Sequence, residues 1–183
     1  MGVSRSRVYL YRGTKGTEAS PIAAAPNVSW KLLVPGEAAR LSDIGYFDVN
    51  DCGERFGRGD VCYTASVDGR LAHYSWVQRS GVHPIIEAGI SATVQPREFW
   101  IYHCMTAAWA RGQKLYPATL HRIMQEHFGN GYERAWIYTI RENIASQNGI
   151  VRAGFEKVSE LPALRVGSRY FRTGPPVMER VAR

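Results

Sequence analysis

Polar and apolar residues alternate from Arg7 to Arg12, which predicts a first strand. Two β-rich runs, Val61–Val67 and Arg70–Val77, flank Asp68-Gly69, a dipeptide that supplies positive φ for a tight hairpin turn. From Phe99 to Thr106 the chain is apolar at odd and even positions alike, which predicts a strand covered on both faces. Strict alternation would put Trp100, Tyr102, Cys104 and Thr106 on one face, and Phe99, Ile101, His103 and Met105 on the other. Tyr116, Leu120, Ile123, Met124 and Phe128 recur at the spacing of a core-facing helix, which opens at Pro117 and stops at Gly129-Asn130-Gly131. Ala135 to Ile140 predicts another strand, and Asn143 caps a helix that ends at Gly154.

The other segments carry weaker patterns. Trp30 to Val34 is a short apolar run, Gly36 to Gly45 a short helical stretch, and Asp48 to Arg58 holds a short helix between loops. Arg79 to Pro84 is expected to be a turn, with a short strand from Ile85 to Val94. Phe155 starts a strand, and a final hairpin folds around Gly167. The segment 13–29 is expected to be loop-rich and 173–183 to be a tail. Strands alternating with helices predict an α/β (α+β) architecture: one mixed central sheet of about six to seven strands with helices on both faces.

Composition bounds this picture. A chain of 183 residues fits a single domain over 1–183, and 45% hydrophobic with 21% charged residues is globular rather than disordered usage. Cys52, Cys62 and Cys104 are an odd number without Cys-x-x-Cys spacing, which disfavours a disulfide scaffold or zinc knuckle and fits a reducing, cytoplasmic setting. No apolar run is long enough to span a bilayer, and the basic N-terminus precedes no signal-like apolar segment. The net charge of +7 suits an anionic partner, but the charge is scattered, which argues against a nucleic-acid-binding domain.

The chemistry concentrates between Glu98 and Phe155. A strand, then the turn Arg111-Gly112-Gln113-Lys114-Leu115-Tyr116, then a helix N-terminus is an order that gathers free backbone N–H groups around an anion. An ordinary turn between strand and helix has the same order, so the turn alone does not decide. Glu98, His103 and Glu87 are the candidate bases on or just before the central strand. Tyr102 and Tyr138 are candidate proton donors, although a core aromatic is the commoner role for each. Cys104 is a possible nucleophile, although a buried structural thiol is the commoner case.

Arg111 to Tyr116, followed by Asn143-Ile144-Ala145-Ser146 and by Gly154-Phe155, resembles the GNAT superfamily of acyl-CoA-dependent N-acyltransferases over Glu98 to about Val158. The family's coenzyme motif is Gln/Arg-x-x-Gly-x-Gly/Ala. Arg111 matches its first position, while Lys114 and Tyr116 stand where small residues are expected. The resemblance implies transfer of an acyl group from acetyl-CoA or another acyl-CoA to an amine, by direct attack in a ternary complex. It implies pyrophosphate contacts from Arg111, Gly112, Gln113, Lys114, Leu115 and Tyr116, and pantetheine contacts from Met105, Thr106 and Ala107 at a bulge in the strand. Asn143 and Ser146 would touch the coenzyme arm. The tyrosine that many relatives use to protonate the leaving thiolate falls at Ile150 here. A catalytically degenerate CoA-binding module is therefore the alternative. The implied partners are an acyl-CoA and an amine-bearing acceptor, with a homodimer left open and no metal called for.

Overall fold

The computed structural model describes residues 3–16, 20, 22–24, 27–45, 48–166 and 169–172. β1 (Val3–Thr14) is longer than its alternating core suggests, because it is paired along both edges. β8 (Arg134–Ile140) runs antiparallel on one side of it and β9 (Glu156–Val166) on the other. β10 (Arg169–Arg172) closes that end of the sheet.

The other half of the sheet contains β2 (Val28–Leu32), β3 (Val61–Val67), β4 (Arg70–Gln78) and β7 (Glu98–Thr106). The order is β10-β9-β1-β8-β7-β4-β3-β2, eight strands rather than the expected six to seven. Asp68 and Gly69 both take positive φ, at 49° and 78°, as the β3–β4 turn requires.

Both faces are covered. On one, α2 (Leu115–Gly129) and α3 (Ile144–Arg152) bury Leu120, Ile123, Met124 and Ile150 against Phe99, Ile101, Ala135 and Ile137. On the other, the 3-10 helix Pro35–Ile44 and α1 (Val49–Gly57) pack on Tyr74 and Trp76. The Asp48 carboxylate caps α1, accepting from the N–H groups of Asn50 at 2.9 Å and Asp51 at 3.2 Å. A cap of this kind is worth about 1 kcal/mol.

Where the sequence predicts a turn and one short strand, the chain makes a small hairpin of β5 (Val82–Ile85) and β6 (Ile90–Thr93) around the left-handed Gly89. It lies over Trp100 and Trp136, burying Ile85, Ala88 and Val94.

Among the described residues only one pair of strands in the main sheet, β7 with β8, is parallel, and it is short. Glu98, Phe99 and Trp100 pair with Arg134, Ala135 and Trp136, after which the two strands separate. The Glu98 carboxylate locks the closed end, accepting from Arg134 Nη1 at 2.6 Å and Trp136 Nε1 at 2.8 Å. Beyond Trp100, β7 bulges against β4: Tyr74 faces Met105 and Trp76 faces Tyr102, so two residues, His103 and Cys104, oppose Ser75 alone. His103 takes φ +46°, the left-handed region that histidine tolerates better than most side chains. The bulge breaks the predicted alternation. Cys104 joins the face of Phe99 and Ile101, while Met105 joins that of Tyr102.

Candidate active site

The separation of β7 and β8 opens a cleft of about 1430 Å³ that passes through the sheet. One half lies on the side of α2 and α3, the other on the side of α1 and the β5–β6 hairpin.

The helix-side half is built around the N-terminus of α2. Gly112 and Lys114 both take left-handed conformations, φ 83° and 59°. Lys114 thus holds the left-handed backbone that a glycine adopts most readily. No side chain caps α2, and the N–H groups of Leu115 and Tyr116 begin its first turn. A Cβ on Gly112 would meet nothing within 4 Å, so the space beside its backbone is open. Exposed Arg111, Lys114 and Arg152 line this half, and none makes an ion pair within the described residues. A helix N-terminus with three free cations beside it offers an anion both dipole and charge. Gln113, in the same loop, does not line the cleft.

Asn143 and Ser146 also line this half, and Asn143 caps α3 through its Oδ1, which accepts from the Ser146 N–H at 3.1 Å. Tyr116 crosses from α2 to α3. Its ring lies against the backbone of Gly149, where a Cβ would come within 2.5 Å, and its hydroxyl is 3.1 Å from Ser146 Oγ. The ring is half-buried, and desolvation holds its phenol well above the ordinary tyrosine range. Ile150, by contrast, is fully buried in the core.

Of the three residues expected at the bulge, Met105 and Thr106 line the cleft and Ala107 does not. The Ala107 N–H is committed to the Ala72 carbonyl at 2.9 Å, and its side chain is buried. The bulge itself sits earlier, at His103 and Cys104. Past Trp100 the edge of β7 that faces β8 has no strand partner, so its backbone groups open on the cleft.

The candidate bases separate sharply. Glu98 lies outside the cleft with both oxygens engaged, because its partners arrive on β8; its work is to pin the parallel pairing. His103 lines the cleft. Its Nε2 is 3.3 Å from the Tyr74 hydroxyl, and its buried Nδ1 has no partner. Burial, then the charge of Arg55, pushes its pKa down, so it stands neutral at pH 7. Tyr138 lines the cleft, its phenol raised by burial and next by the charge of Glu87. Burial pushes the Cys104 thiol up to about 12, which removes it as a thiolate nucleophile.

Sequence reasoning missed His83, which lies where a turn was expected. Its ring stacks on Trp100 at 4.6 Å and meets Tyr102 and Tyr138 edge-on at 5.2 and 6.1 Å. It therefore sits in the crotch of the fork, between the first residues of the two diverging arms. Ile85 and Ile90 on either side of Gly89 were the available signal for the hairpin that carries it.

Compared with protein-family models and with curated proteins, the sequence matches none. Compared with solved structures, it matches many. A GNAT-family acetyltransferase from Colwellia psychrerythraea superposes over 90% of this chain and 56% of its own at TM-score 0.63 and 12% identity. The chain has the GNAT fold. A GCN5-related N-acetyltransferase from Sphaerobacter thermophilus shares it at TM-score 0.66 and 11% identity, over 87% of this chain and 50% of that one. The ribosomal-protein-S18-alanine N-acetyltransferase of Escherichia coli shares it at TM-score 0.57 and 13% identity, over 72% and 79%. The chain spans about half the length of the first two. What is common at these identities is the fold.

Proposed function

We propose that the protein transfers an acyl group from an acyl-coenzyme A to an amine by direct attack within the forked cleft. The fork carries this reading: it joins an anion-binding helix terminus on one face of the sheet to a separate polar pocket on the other, through a gap lined by unpaired strand edge. Two substrates entering from opposite faces would meet there, and holding them together supplies most of the rate enhancement such a reaction needs.

In this reading Arg111, Lys114 and Arg152, with the backbone of Gly112 and the first turn of α2, hold the coenzyme phosphates. Asn143 and Ser146 flank its arm. The coenzyme supplies the activated acyl group as a thioester. A carbon–nitrogen bond forms as the carbon–sulfur bond breaks, so the amine must lose a proton and the sulfur must gain one. His103 serves as the base within the cleft, its unpartnered Nδ1 carrying the lone pair when Nε2–H donates to the Tyr74 hydroxyl. The Tyr116 hydroxyl, steadied by Ser146, returns a proton to sulfur, in place of the tyrosine that is Ile150 here.

Burial of Ile150 also favours a second reading, a module that binds coenzyme without turning it over. Calorimetry with acetyl-CoA and longer acyl-CoAs, followed by thiol-release assays across an amine panel, separates the two. We expect micromolar binding and amine-dependent thiol release. Binding without release would leave the module, and no binding of any acyl-CoA would remove both.

A further inference from the structure

The hairpin side of the cleft holds two buried acceptor atoms with nothing to accept from. They are His83 Nε2 and one carboxylate oxygen, Oε2, of Glu87. The orientation of His83 is fixed. Gln78 donates from its amide nitrogen to the carbonyls of Ser80 at 2.8 Å and Val82 at 3.1 Å, so its oxygen faces His83 Nδ1 at 2.9 Å. Nδ1 must therefore be the donor, which leaves a lone pair on Nε2. His83 is only 2% exposed, and it lines the cleft. Burial pushes it down to about 4, so the ring is neutral and Nε2 is an acceptor throughout the physiological range. Leaving a buried acceptor unpaired costs about 1–3 kcal/mol, more when it is charged. Two of them on one short hairpin await one donor-rich group.

Charge balance says what that group is. Each guanidinium on this side already has a carboxylate, Arg55 paired with Asp51 and Arg58 with Asp60, although Arg55 Nη1 is itself buried without a hydrogen-bond partner. The Arg55 guanidinium also lies 5.0 and 5.1 Å from the ring centroids of Tyr102 and Trp76. Glu87 forms no salt bridge among the described residues. A further anion would compete with Asp51 and Asp60 for these guanidiniums, whereas Glu87 Oε2 and His83 Nε2 offer acceptors to an N–H donor. The lip above it is apolar: Val82, Pro84 and Ile86 line the cleft while standing exposed, Val82 by 59% and Ile86 by 68%.

We infer that the β5–β6 hairpin recognises the acyl acceptor, a primary amine on an apolar body with no carboxylate beside the nitrogen. The amine donates to His83 Nε2 and Glu87 Oε2, and the body rests on Val82, Pro84 and Ile86. This rests on the acyltransfer reading of the cleft. It places the nitrogen in the crotch of the fork, between Tyr102 and Tyr138, where the gap through the sheet begins.

The test compares phenethylamine with phenylalanine, which adds a carboxylate beside the same nitrogen. Binding is followed by calorimetry, with and without coenzyme A present. Phenethylamine should bind at least tenfold tighter than phenylalanine. Glu87→Gln, nearly isosteric, should weaken phenethylamine about tenfold or more and leave coenzyme A affinity unchanged. Because replacing His83 would disturb its stack on Trp100, the second variant is Ile86→Asp on the exposed lip, which should cost phenethylamine severalfold at unchanged coenzyme affinity. Equal binding of the two ligands, or a Glu87→Gln protein within twofold of the parent, overturns the inference even where acyl-CoA binding and thiol release stand. Loss of acyl-CoA binding in the parent protein would instead strike the acyltransfer reading, while amine binding without coenzyme still decides the role of the hairpin.

Discussion

At the scale of single residues, Tyr116 has the most to decide. It stands where the coenzyme motif expects a small residue, and it reaches over Gly149 to bring a hydroxyl to Ser146. Tyr116→Phe keeps the ring and removes only that oxygen. If the hydroxyl protonates the departing sulfur, the variant should lose about 10²-fold in thiol release, the lower range for a positioned acid. Acetyl-CoA affinity by calorimetry should change less than threefold. A phenylalanine variant with parental turnover would place the acid elsewhere. Some of this residue-level chemistry was legible in the sequence. Arg111, Lys114, Asn143 and His103, which line the cleft, stand out in the sequence because a loop before a helix, a helix cap and a central strand are local patterns. The placing of Glu98 outside the cleft and of His83 within it was not legible, because their surroundings are not local. Glu98 meets Arg134 and Trp136, which arrive on β8, and His83 is placed by Trp100, which arrives on β7.

At the scale of elements, the strongest sequence signals gave the firmest structure. Asp68-Gly69 made the β3–β4 turn, and the period of Tyr116, Leu120, Ile123 and Met124 made α2. The β5–β6 hairpin was hidden because its strands have four residues each and Pro84 lies in one of them. Pro is tolerated there because the pair is two-stranded and has free edges. The bulge at His103 was hidden because it is a property of register with β4, which one strand's residues do not encode. The contact of α2 with α3 yields a further prediction. Gly149→Ala would gain up to about 1 kcal/mol in helix propensity. Its methyl would stand 2.5 Å from a Tyr116 ring carbon. Overpacking of that kind costs about 1–3 kcal/mol, so the net change should be destabilising. Urea denaturation would show it as a lower midpoint, and a variant at or above the parent midpoint would mean that the ring moves aside freely.

At the scale of the whole molecule, the buried histidines set the response to acid. Burial depresses His73 to about 3 and His83 to about 4, from an ordinary value of 6.5. His103 and His127 shift the same way, again mainly through burial. All four bind protons more weakly when folded. Below pH 6.5 the unfolded chain takes up protons that the folded chain refuses, so stability is full above that pH and declines as pH falls toward the folded values. His73 and His83 should each cost about 2 kcal/mol between pH 6.5 and 5. Thermal melts across that range should show a steady drop in Tm, and a flat profile would mean that these rings are wetter than their burial implies. The position of β1 has a consequence for how the molecule comes into being. Val8 lies between Ile140 and Leu161, so β1 is clamped by two strands that follow it by well over a hundred positions. Loops that long are slow to close. The half of the sheet from β2 to β7 can assemble from neighbouring segments, whereas β1 must wait for β8 and β9. Pulse-labelled amide exchange during refolding should therefore protect β3 and β4 before β1. The seam between the early and late halves is the three-pair junction of β7 and β8, so the cleft lies where two separately formed halves of the sheet are last brought together.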